Sequence, residues 1–136
     1  MGVALHVGSR AFEVGSASFL RSFFSTVYLR LEDGAWGSRF PTVMTNLYAG
    51  EVGPEFAADA LEELRVIKAE LTKLPPEQVV WDHEHLDQSP PWGADIAPSI
   101  RTLADYFVTS AGQPLLGVLA DALSHAVQVK LRLRVS

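Results

Sequence analysis

Val129-Lys130-Leu131-Arg132-Leu133-Arg134-Val135 alternates apolar and basic residues without interruption. A period of two puts every second side chain on the same face of an extended chain. The segment is therefore expected to be a strand with a buried apolar face and a wet basic face, in a half-exposed sheet. The opposite end carries a similar pattern. Val3, Leu5 and Val7 alternate with smaller or polar residues, and Gly8-Ser9-Arg10 turns the chain into Phe12 and Val14, which predicts a β-hairpin.

Helical periodicity fills the middle. Ser16 or Ser18 can cap a helix whose apolar residues Phe19, Leu20, Phe23, Phe24, Val27, Tyr28 and Leu31 form one wide stripe. Ser22, Ser25 and Arg30 take its other side, and Gly34 closes it. The Phe-rich stripe reads as core rather than as the lining of a ligand pocket. Trp36-Gly37-Ser38-Arg39 connects to a second helix, opened by Pro41 and stopped by Gly50, with Phe40, Val43, Met44, Leu47 and Tyr48 on one face. A third runs from Pro54 to about Leu74, where Pro75-Pro76 ends it, and a last one carries Leu115, Leu116, Leu119, Leu123 and Val127 inward. Val79-Val80-Trp81 and the run from Leu103 to Thr109 read as two further short strands. The expected fold is α+β: a small, mainly antiparallel sheet (the N-terminal hairpin and strands near residues 79–81, 103–109 and 129–135) packed by about four helices. No repeat, low-complexity tract or linker interrupts the chain, so residues 1–136 are expected to form one domain.

Composition narrows the function. No apolar run reaches the roughly 18 residues that span a bilayer, and the N-terminus lacks the basic and apolar regions of a secretory signal. A soluble, cytoplasmic protein is expected. With no cysteine, disulfides, thiolate zinc sites and Cys nucleophiles are excluded. Net charge is −5, and its distribution says more than its total. Residues 51–95 hold eleven acids against Arg65, Lys68 and Lys73, a local balance of −8, while the flanking thirds are weakly positive. Such a field repels nucleic acid and favours basic partners. The basic face of the last strand (Lys130, Arg132, Arg134) is read as a solubility device rather than a nucleic-acid surface.

Chemistry-bearing residues concentrate in Trp81-Asp82-His83-Glu84-His85-Leu86-Asp87 and the following Pro90-Pro91-Trp92-Gly93. This proline-broken segment is expected at the surface, where loops carry function. His83 and His85 stand at i, i+2, which puts both imidazoles on one side of an extended chain, with Asp82, Glu84 and Asp87 as possible oxygen ligands. His-x-His alone is a weak metal signal, and no hydrolase or phosphate-binding motif accompanies it. No metal and no cofactor is therefore assigned, and a small metal-dependent or hydrolytic enzyme using Asp82 to Asp87 is the alternative reading. A third reading is self-association through the edge of the Val129–Val135 strand. The contact reading rests on residue type: Trp36 with Arg39, and Trp92 beside Asp82, Glu84 and Asp87, are the kinds of residues that dominate interface energetics.

Several strings taken together carry a resemblance. Val14-Gly15-Ser16 through Ser18-Phe19-Leu20, Ser22-Phe23-Phe24-Ser25, Trp36-Gly37-Ser38-Arg39-Phe40-Pro41, Val79-Val80-Trp81-Asp82, Pro90-Pro91-Trp92-Gly93 and Tyr106-Phe107-Val108-Thr109-Ser110 resemble, in order and spacing, the bacterial polymorphic-toxin immunity family called immunity protein 70. The resemblance implies a cytoplasmic antidote, without catalytic residues, that binds and neutralises a cognate toxin domain and protects the producing cell and its kin. Many such toxin domains act on nucleic acids and are basic, which agrees with the acidic middle third. On this reading Trp36, Arg39, Asp82, Glu84, Asp87 and Trp92, with Glu62 and Glu63 as further acids, are the candidate partner contacts.

Overall fold

The computed structural model describes residues 2–88 and 96–136. Its sheet has four strands, β1 (Gly2–Val7), β2 (Arg10–Ser16), β3 (Glu51–Val52) and β4 (Leu133–Val135), in the order β2-β1-β4-β3 with every pairing antiparallel. The predicted hairpin is β1–β2. Its turn begins at Gly8, whose φ of +59° lies in the left-handed region and whose absent Cβ would stand 2.9 Å from a Leu131 methyl. The register slips between Val3 and Ala4, so Val14 bulges and its side chain enters the core.

Four α-helices follow: α1 (Ala17–Thr26), α2 (Pro54–Leu71), α3 (Leu103–Tyr106) and α4 (Leu115–Val129). Ser16 caps α1 through a 3.1 Å bond from the Phe19 N–H, and the helix continues into a π-helical turn, Val27–Leu31. The segment opened by Pro41 is π-helical over Thr42–Leu47. Two π segments among the described residues are unusual for a small chain, and such segments are frequent at functional sites. Helix α4 lies across β1 and β2, and α2 packs on α4, so Leu115, Leu119, Ala122, Leu123 and Ala126 are fully buried between the layers. Phe19, Phe23 and Phe24 of α1 join this core together with Phe107; the Phe-rich stripe is packing, each ring contributing about 1.5–3 kcal/mol by burial. Among the described residues, no helix is long and apolar enough to cross a membrane.

Three strand expectations are corrected. Among the described residues, 79–81 join no strand because the backbone of Val80 is already satisfied: its N–H donates to Thr26 Oγ1, and its carbonyl accepts from Ser22 and Thr26. Their apolar character serves burial against the core rather than a ladder. The run from Leu103 is helical at first, because Thr102 caps it by accepting the Asp105 N–H, and only Val108 makes an isolated bridge, to Pro114. At the C-terminal end α4 runs through Val129 and stops at Lys130 in the left-handed conformation (φ +58°), with the Leu131 N–H returning to Ala126 O. Only Leu133–Val135 is strand, and it lies between β1 and β3. An interior strand has no free edge, which removes self-association through that edge. The two-residue β3 is too short to show a period in the sequence.

Candidate functional site

The charged segment is fastened to the polar face of α1. Arg21, Ser22, Ser25 and Thr26 stand at helical spacing, and each holds part of residues 80–84. Sequence reading left Ser22 and Ser25 on an outer face. Both are fully buried, with Thr26, because the segment lies over them. Ser25 Oγ accepts the His83 N–H at 3.1 Å and bonds His83 Nδ1 at 2.8 Å. Which of the two donates follows the tautomer of the ring. His83 Nε2 stands 3.7 Å from Glu84 Oε1.

His83 completes an aromatic cluster. Its ring centroid lies 5.1 Å from that of Trp36 and 5.3 Å from that of Tyr28; Tyr28 and Trp36 are 5.0 Å apart, and Trp36 meets Tyr48 edge to face at 4.8 Å. Tyr28, Trp36 and His83 are half-buried, Tyr48 is 42% exposed, and Trp36 Nε1 donates to Met44 O at 2.7 Å. Four ring side chains packed on one another, two pairs edge to face and two tilted, make an apolar patch with little rotamer entropy left to lose on contact.

Charge rims the patch. Arg21 Nη2 donates to Glu84 Oε1 at 2.6 Å, and Nε donates to Asp82 Oδ1 at 3.3 Å. Burial opposes the charge on Arg21, but Asp82, Glu84 and Tyr48 together raise its pKa above the ordinary arginine value. Asp82 is held below the ordinary aspartate range. The N–H of Glu84 is the main cause; the His85 ring (3.1 Å) and Arg21 add to it, and desolvation opposes it.

A model of the family described as immunity protein 70 matches residues 5–135. The chain belongs to the immunity protein 70 family. No curated protein and no solved structure matches it. Membership implies a protein partner, and it directs attention to the surface of this immunity protein rather than to a cleft.

The candidate contacts separate on that surface. Trp36, Asp82 and Glu84 come together through His83 and Arg21. Asp82 has a side chain only 17% exposed and bonds His85 and Arg21, whereas the side chain of Glu84 is 59% exposed. Asp87 is exposed beside Leu86, which is 68% exposed. Arg39 is committed elsewhere: it pairs with Glu70 and donates to Leu31 O at 2.9 Å. Buried Glu32 orders the same connector by accepting the N–H groups of Gly37, Arg39 and Phe40 at 3.0–3.1 Å. Glu63 accepts the N–H groups of Thr42 and Val43, and exposed Glu62 pairs with Arg65. Trp92 lies outside the described residues. Arg21, Tyr28 and Tyr48 escaped sequence reading because each belongs to a helix pattern that reads as scaffold; the nearness of two helices to one loop carries no local signal.

The two imidazoles do not converge as the alternating spacing suggested. His83 turns into the aromatic cluster and onto Ser25, and His85 turns to Asp82. Among the described residues no three His, Asp or Glu side chains form a group that could hold a metal ion.

Proposed function

We propose that this immunity protein binds and neutralises a cognate toxin domain through the aromatic patch and its acidic rim. The family match over residues 5–135 carries the reading; the partly exposed rings and their acidic rim support this choice of surface. Trp36 and Tyr48 act as the apolar anchor, Glu84 and Asp87 meet basic toxin residues, and Leu86 closes the contact. Asp82 and Arg39 are positioning residues, the first shaping the 82–85 corner and the second fixing the connector that carries Trp36. An acidic rim speeds encounter with a basic partner and adds affinity where the charges are desolvated. Trp92, ten residues after Asp82, belongs to the same segment and is kept as a further anchor. Residues 1–136 act as one binding domain, in the cytoplasm of the producing cell, without catalysis of their own.

Co-expression tests this. Cells making the toxin domain encoded beside this gene should grow when they also make this chain. The Glu84→Ala, Leu86→Ala, Asp87→Ala triple variant should lose protection at equal expression. Full protection by the triple variant would remove this rim from the interface, and no protection by the wild type would remove the toxin-binding reading itself.

A further inference from the structure

A groove of about 390 Å³ opens beside the aromatic patch, between the start of α1 and the ends of β1 and β4. Val3, Leu20, Phe24, Tyr48 and Val135 give it an apolar floor and walls. Ala17, Ser18 and the Arg21 side chain complete it, and the Arg21 guanidinium reaches out to Asp82 and Glu84. Two contacts brace the groove. The Val135 N–H donates to Gly50 O at 2.9 Å, tying β4 to the end of the helical segment that carries Tyr48, and Tyr48 meets Phe24 edge to face at 5.2 Å. Tyr48 thus belongs to both the groove and the aromatic cluster, so the two form one continuous surface.

The charge at its outer end is asymmetric. Arg21 engages Glu84 through Oε1; among the described residues Oε2 has no hydrogen-bond partner, and Glu84 is mostly exposed. One arginine faces two carboxylates there, which leaves a net negative corner next to an apolar slot. Resting on the toxin-binding reading above, we infer that the groove receives one segment of the toxin. That segment seats an apolar side chain between Leu20, Phe24 and Tyr48 and places a neighbouring Lys or Arg on Glu84 Oε2. Buried apolar anchors slow dissociation, while rim charges chiefly set the association rate. Groove and rim therefore answer to different rate constants.

Ser18 lies exposed on the rim of the groove, outside the core, so it can be changed without disturbing the packing. Ser18→Trp fills the slot and Ser18→Lys puts a cation in it; thermal melting and circular dichroism check that both fold. With the purified toxin domain encoded beside this gene as probe, both variants should dissociate about tenfold faster than wild type. Glu84→Gln should instead lower the association rate and its salt dependence. If wild type binds and a folded Ser18 variant dissociates at the wild-type rate, the groove is not the docking slot and toxin binding stands without it. If the wild type does not bind, the toxin-binding reading fails and the groove assignment fails with it.

Discussion

At the scale of single residues, the acidic segment divides by what each side chain touches. Asp82 accepts the Glu84 N–H and faces His85 and Arg21, so its charge shapes the corner from within. A carboxyl whose pKa is depressed in the folded chain contributes stability that is complete above its unfolded-state pKa and is lost as pH falls through the folded value. The stability difference between wild type and Asp82→Asn should therefore be widest near neutral pH. It should begin to close as pH falls through about 4. Urea unfolding at several pH values checks this; a difference independent of pH would mean that the charge contributes nothing. His83 shows why residue type alone misleads. The spacing His83-Glu84-His85 suggests paired ligands, but the Ser25 hydroxyl and the rings of Tyr28 and Trp36 use His83 as a packed aromatic. Those partners come from α1, the π turn that follows it and the connector, and their arrival is a property of the fold rather than of the local pattern.

At the scale of elements, α1 is both core and platform. One face buries Phe19, Phe23 and Phe24, and the other fastens residues 80–84 through Arg21, Ser22, Ser25 and Thr26. Thr26 bonds both backbone groups of Val80, at 3.0 and 3.2 Å, from a fully buried side chain. Thr26→Val keeps the shape and removes the hydroxyl, so it should cost about 1–3 kcal/mol. Amide exchange at Val80 and His83 should quicken more than exchange in α4. Uniform quickening would mean that the bond stabilises the whole chain rather than this fastening. The same geometry explains what was legible. The hairpin, the helix from residue 17, the helix from Pro54 and the last helix follow from periods of 2 and 3.6 and from their caps. Val79-Val80-Trp81 was misread because a short apolar run fits a strand and a covered loop equally well, and side chains of another element decide between them. The alternation from Val129 to Val135 was misread in part because Lys130 adopts a left-handed cap, letting helix and strand share one continuous apolar–basic pattern.

For the whole molecule, the class and the family were legible and the surface was not. An α+β chain with strands at both ends is what alternation at the termini and helical periods between them require, and the family match covers residues 5–135. The excess of acids between residues 51 and 95 was also legible, but its deployment was not: Glu63 and Glu70 bond the connector and the segment after it, and Asp82 shapes the corner. The acids that face outward in the segment after His83 are Glu84 and Asp87. Encounter between this corner and a basic toxin is therefore the central proposal. Its most direct test is the association rate of the purified chain with the toxin domain encoded beside its gene, measured over a range of ionic strength. The Glu84→Ala, Asp87→Ala variant serves as the comparison. The wild-type rate should fall steeply with salt, and the variant should be about tenfold slower at low salt with a flatter dependence. Equal rates and equal salt dependence for the two proteins would contradict it.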